Sequence, residues 1–213
     1  MSIKAIIFDM DGVILDSESI CDKTWAITQK EMGVVTDKDY LNMCRGTNHN
    51  DTIQILRQVF GPDFDAQKFL DRSIELFHQI EQSQGIPLMP YVRETLEYLA
   101  PRYTLALASS TSGPAVKRQL TNAGVIDFFK TRTTGEQVVH SKPDPEIYLM
   151  ACRSIGMEPS ECVAVEDSPN GIRSAHAAGI PVIMVPDKIQ PTDELKSLCW
   201  KICPSLKTLA EFL

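Results

Sequence analysis

The sequence predicts an α/β protein: an open parallel sheet with helices on both faces, interrupted near its start by a small all-helical insert. Three observations predict it. The first strand, Ile6-Ile7-Phe8, is continuously apolar, as a strand covered on both faces has to be. Residues 17–86 then carry helix after helix with no strand pattern between them. From Pro90 onward, short apolar runs alternate with helical stretches, the mark of a parallel α/β domain. At 213 residues the chain can bury roughly 70% of its unfolded surface, enough for one such domain and a satellite. Residues 1–15 and 87–213 form the predicted core and residues 16–86 the insert.

Taken in order, the first strand ends in Asp9-Met10-Asp11-Gly12, where two acids flank one residue and the glycine lets the chain turn. Ile14 to Asp16 is where the chain leaves the core. Within the insert, helices are predicted over Ile20–Met32, Asp37–Met43, Asp51–Phe60 and Asp65–Ile80, the last with Phe69, Ile74, Phe77 and Ile80 as its apolar positions. Gly33, Gly46 and Gly61-Pro62 separate them, with Thr36 or Asp37, Asn50 or Asp51, and Asp63 as N-caps. The stretch GIPLMP, Gly85 to Pro90, has the composition of a linker. The core then continues with a helix over 91–99, strand Thr104–Ala108, helix Gly113–Ala123 and a short strand Phe128–Arg132. Helix Pro145–Ser154, strand Cys162–Val165, helix Gly171–Ala178 and strand Pro181–Val185 follow, with a closing strand and helix around Ile202 and Leu206–Phe212.

In open parallel sheets, ligands sit outside the carboxyl ends of the strands, so the polar residues at strand tips carry the interest. The first tip gives Asp9 and Asp11, the second Ser109, Ser110 and Thr111 with Gly113, and a later one Glu166, Asp167 and Ser168. Lys142, in Ser-Lys-Pro-Asp-Pro, brings one cation into this acidic set on a backbone stiffened by proline. Each cluster alone has a plain structural reading: solvated acids at a turn, a serine helix cap, a solvated lysine. Together they make two acids, an anion site at the start of a helix, a lysine and two further acids. Oxygen-only ligands select a hard cation, Mg²⁺. Held by Asp9 and Asp167, with Glu166 completing or orienting its shell, the ion would bind a phosphoryl oxygen while Lys142 and Ser109 neutralise the others. An aspartate is then a competent nucleophile, and a second acid two residues away supplies a proton relay.

Composition excludes other classes. Six cysteines without a CxxC pair, in apolar contexts, argue against a zinc site or a disulfide framework. A net charge of −7 with no basic block argues against a nucleic-acid partner. There is no apolar run near the ~20 residues of a membrane span and no signal-peptide pattern. The expectation is a reduced, cytoplasmic, monomeric protein acting on a small molecule.

FDMDGV, LALASS, SKPDP and VEDSPNGI resemble, in order and spacing, the four motifs of haloacid dehalogenase superfamily phosphotransferases, and a helical insert just after the first motif is similar to that family's small cap. The resemblance covers nearly the whole chain. It implies a Rossmann-like core with Asp9 as nucleophile and Asp11 as general acid and base. Ser109, with Ser110 beside it, and Lys142 would bind the transferring phosphoryl group. Asp9, the backbone carbonyl of Asp11, Asp167 and Glu166 would hold Mg²⁺.

Asp11, which dehalogenases lack, favours phosphate esters. Phosphonatases of the superfamily use a cap lysine, and residues 40–58 contain none. The sequence resembles β-phosphoglucomutase and the sugar-phosphate phosphatases of the same cap type. LDSES after the first motif reads like the phosphatases, Cys21 stands where the mutase carries a histidine, and His49 stands where it carries a phosphate-gripping arginine. Trp25 matches a mutase tryptophan, or serves cap packing. The expectation is a Mg²⁺-dependent phosphatase of a sugar or polyol phosphate, with a phosphosugar mutase as the alternative. Glu18, Arg45, Thr47 and His49 are its candidate substrate residues in the cap.

Overall fold

A computed structural model describes residues 2–45 and 49–213. Two compact units divide the chain: Met1–Asp16 with Pro87–Leu213, and Ser17–Ile86. Asp16 goes with the first unit, one residue past the expected break, because its N–H is bonded to Pro87 O at 2.9 Å.

The first unit is a six-stranded, all-parallel sheet in the order β3-β2-β1-β4-β5-β6. Its strands are β1 (Ala5–Phe8), β2 (Thr104–Ser109), β3 (Thr131–Thr134), β4 (Cys162–Glu166), β5 (Val182–Met184) and β6 (Lys201–Ile202). The helices are α5 (Val92–Leu99), α6 (Gly113–Asn122), α7 (Glu146–Ile155), α8 (Pro169–Ala177), α9 (Asp193–Leu198) and α10 (Leu206–Phe212), and α1 to α4 lie in the second unit. Side chains alternate across a strand, so Ala5, Ile7, Ala106, Ala108, Cys162 and Ala164 share one face, where they pack with Ile147, Tyr148, Ala151 and Ile155 of α7 and Ile172 and Ala175 of α8. Most of the strand residues on that face are small, which brings α7 close to the sheet.

Three expectations shift. The apolar run at Phe128 is a 3₁₀ turn over Ile126–Phe128, with Phe129 edge-on to Phe8, and sheet pairing begins only where Thr131 meets Ala106. Helix α8 starts at Pro169, two residues early, because Ser168 caps it by accepting from Gly171 N–H. The six-residue α9 is absent from the expected elements, being too short to show a period.

The second unit consists of α1 (Ser17–Glu31), α2 (Tyr40–Cys44), α3 (His49–Phe60) and α4 (Ala66–Gln84). Tyr40, Leu56, Ala66, Phe69 and Leu70 form its core, with Trp25, Phe60 and Phe64 against them. The caps are Asp39 and Asp65, not the predicted Thr36, Asp37 and Asp63. In each case the acid adjoining the first turn reaches a free helical N–H, from Asn42 and Lys68 respectively. Of the apolar positions assigned to α4, Phe69 is buried, together with Ala66, Leu70, Ser73 and Glu81, whereas Ile74 is 53% exposed.

Candidate active site

The site grows from the centre of the sheet. Strand β1 lies between β2 and β4, with Phe8 opposite both Leu107 and Val165. The next residue on each strand is therefore Asp9, Ala108 and Glu166, three neighbours in a row at the carboxyl ends. Lys142 Nζ joins all three, donating to Asp9 Oδ1 at 2.5 Å, Glu166 Oε1 at 2.7 Å and the Ala108 carbonyl at 3.2 Å. It enters from the loop before α7, on the small-residue face. Lys142 is 8% exposed and Glu166 fully buried.

Glu166 is held by five donors. Oε1 accepts from Lys142 and from the Tyr148 hydroxyl at 2.8 Å, and Oε2 accepts from Asp167 N, Ser168 N and Ser168 Oγ at 3.0 to 3.2 Å. Its carboxylate lies so close to α8 that a Cβ at Gly171 would overlap it. Gly12, at φ +79°, lies close enough to the Asp167 carboxylate that a Cβ there would overlap it, so the turn after β1 accepts no side chain there.

Carboxylate oxygens of Asp9, Glu166 and Asp167 lie within 4.8 Å of one another, and all three residues are buried. Burial pushes the Asp9 carboxyl up to about 8, against the pull of Lys142 and with Glu166 and Asp11 adding to the rise. Burial works against the charge of Lys142 too, but Asp9 and Glu166 outweigh it and hold its pKa above the ordinary value. One lysine thus faces more buried carboxylate than it neutralises, and the all-oxygen donor set fits a hard divalent cation.

Ser109 is fully buried at the end of β2, its Oγ accepting from Thr111 N–H at 3.1 Å. Ser110 is exposed beyond it. The expected anion site at the start of α6 is taken by the chain itself, because both carboxylate oxygens of Glu136 accept from Gly113 N–H, at 2.7 and 2.8 Å. Asp11 Oδ2 accepts from the Thr111 hydroxyl at 2.9 Å.

In the helical unit, a cavity of about 230 Å³ is lined by Glu18, Cys21, Asp22, Trp25, Cys44 and Arg45, among others. Arg45 is held within it: Nη1 donates to Glu18 at 2.6 Å, Nη2 to both oxygens of Asp22 at 2.7 and 2.8 Å, and Nε to Asn42 at 2.9 Å. Of the four predicted substrate residues, the structure therefore brings Glu18 and Arg45 together. His49 lies apart from that lining, exposed on the first turn of α3 and bonded to Gln67 at 3.0 Å. Thr47 lies outside the described residues. Trp25 both lines the cavity and packs among Tyr40 and Phe69.

Residues 6–185 match the family model of the haloacid dehalogenase-like hydrolases. The chain belongs to that family. Among haloacid dehalogenase-like relatives, a phosphorylated carbohydrates phosphatase of Thermotoga maritima is 31% identical over 83% of this chain and 82% of its own length. Hexitol phosphatase B of Escherichia coli is 31% identical over 86% and 84%. Of solved structures, one from Thermotoga maritima described as a candidate β-phosphoglucomutase is 27% identical, covers 99% of this chain and 98% of its own, and superposes with a TM-score of 0.80.

Sequence reading missed Tyr148 and gave Thr111 no role. A tyrosine on the inward stripe of a helix carries its own signal, because a buried hydroxyl needs a partner. Nothing in the sequence says that the partner is Glu166.

Proposed function

We propose that this hydrolase is a Mg²⁺-dependent phosphatase of sugar or polyol monophosphates, working through an aspartyl-phosphate on Asp9. The observation that carries the reading is Lys142 bridging Asp9 and Glu166 at the tips of three central strands, with Ser109 and Asp11 beside them. With Oδ1 held by Lys142, Asp9 attacks phosphorus through Oδ2. The Asp9–phosphorus bond forms, the ester P–O bond breaks, and Asp11 gives its proton to the leaving oxygen, releasing the alcohol. Asp11, now a carboxylate, takes a proton from water as that water attacks the phosphorus, and the Asp9–phosphorus bond breaks to free phosphate. Lys142 and the Ser109 hydroxyl neutralise phosphoryl oxygens throughout. Asp9, Asp167 and the Asp11 carbonyl would hold the Mg²⁺, with Glu166 as orienter given its five donors. The ion supplies charge neutralisation at the phosphoryl oxygens.

The 31% identity to phosphatases of phosphorylated carbohydrates and hexitols supports the substrate class. The mutase reading draws support from the Thermotoga structure. Against it stands Arg45, whose guanidinium is spent on Glu18, Asp22 and Asn42 rather than kept for a second phosphate.

Phosphate release from p-nitrophenyl phosphate with Mg²⁺ is the direct test. Asp9→Asn is expected to lower kcat by about 10³-fold or more, and chelation of Mg²⁺ to abolish turnover. Full Mg²⁺-dependent turnover by Asp9→Asn would remove the nucleophile assignment. Conversion of β-glucose 1-phosphate to glucose 6-phosphate faster than phosphate release would replace phosphatase by mutase.

A further inference from the structure

Thr111 stands two residues beyond Ser109, and both of its backbone polar groups are committed. Its N–H donates to Ser109 Oγ and its carbonyl accepts from Gly135 N–H, both at 3.1 Å. Gly135 is packed so closely that a Cβ there would overlap the Ser110 carbonyl. Two residues on, Gly113 N–H is bound by Glu136. Residues 109–113 are thus fastened to the exit of β3 on both sides of Thr111. A β-branched side chain on a fixed backbone has few rotamers, and the one adopted sends the hydroxyl to Asp11 Oδ2 at 2.9 Å.

We propose that Thr111 is a positioning residue for proton transfer by Asp11. The inference rests on Asp11 being the general acid and base. The Thr111 hydroxyl restrains the Asp11 carboxyl group against rotation by holding Oδ2 in place. Proton transfer requires the acid within hydrogen-bond reach of the leaving oxygen, and an aspartate free to rotate is there only part of the time. None of the four sequence motifs assigns this task to a threonine at this place.

The test exploits the leaving group. p-Nitrophenoxide departs without a proton, whereas phenoxide benefits from one, so loss of acid catalysis steepens the dependence of kcat/KM on leaving-group acidity. Thr111→Val keeps the shape and removes the hydroxyl. It is expected to raise the preference for p-nitrophenyl over phenyl phosphate by about tenfold, while Thr111→Ser keeps the wild-type preference. A Thr111→Val protein that loses rate equally on both esters, or on neither, overturns the proposal, since a merely structural threonine would act that way. If the valine protein does not fold, Thr111→Ala carries the same comparison. Asp11→Asn separates the two levels: it must steepen the preference as well, and if it turns over both esters with the wild-type preference, the role of Asp11 fails rather than that of Thr111.

Discussion

Glu166 carries a buried charge whose neighbours explain it atom by atom. A carboxylate with no exposure is tolerable only when its lone pairs are filled, and here Lys142, Tyr148, Ser168 and two backbone N–H groups fill them. Tyr148 contributes twice, since its ring also lies 5.1 Å from the Lys142 ammonium. Burial and the charges of Glu166 and Asp9 push the pKa of its hydroxyl well up, so it remains a donor. Tyr148→Phe keeps the ring and removes one bond to a charged group, a loss of about 1.5–3 kcal/mol. Thermal unfolding should record it as a fall in Tm of roughly 3–10 °C, and an unchanged Tm would mean that the hydroxyl bond contributes nothing. Asp9, Asp11, Ser109, Lys142 and Asp167 were legible in the sequence because each lies in a short stretch whose composition departs from its element. Tyr148 and Thr111 were not, because their partners are 18 and 100 residues away.

Among the elements, α8 shows how tightly the site is built into the fold. Its first turn passes over Glu166, and Gly171 is the residue that lets it do so. Replacing a helical glycine by alanine ordinarily stabilises by up to ~1 kcal/mol. At Gly171 the new methyl group meets a carboxylate pinned by five donors, and overpacking of that kind costs about 1–3 kcal/mol. The clash wins, so Gly171→Ala is expected to lower Tm and phosphatase activity together, and a rise in Tm would show that Glu166 moves aside freely. The same elements mark the limit of sequence reading. Strands β1, β2 and β4 were legible as apolar runs, whereas β3 is a threonine-rich edge strand preceded by Phe128 and Phe129, which imitate a strand although Phe129 packs edge-on against Phe8. The caps of α2 and α4 were misplaced because two acids precede each helix, Asp37 and Asp39 before α2 and Asp63 and Asp65 before α4, and only geometry selects one.

For the whole molecule, the sheet order is what the sequence left unstated. Alternation of strand and helix predicts a parallel sheet but not that β1 sits between β2 and β4, and that placement sets Asp9, Ala108 and Glu166 side by side, where Lys142 joins them from the loop before α7. Nor was the cavity beside Arg45 legible, since it depends on a guanidinium that three other side chains have claimed. Gathering the acids has a thermodynamic consequence. In the metal-free protein the Asp9 carboxyl is raised to about 8, chiefly by burial, against ~3.9 in an unfolded chain. Between those values the folded state binds the proton that the unfolded state has released, so the Asp9 contribution to metal-free stability is greatest below the lower value and declines as pH rises through the upper one. Mg²⁺ held there, as proposed, would need the ionised carboxylate and compete with that proton, which would make its stabilisation small in acid and larger in base. Melting curves with and without Mg²⁺ should therefore diverge as pH increases from about 6 to about 8.5, and Asp9→Asn should flatten the metal-free pH dependence. A Mg²⁺-induced shift in Tm that is equal at both pH values would mean that Asp9 is already ionised before the metal arrives, with Lys142 alone balancing its charge.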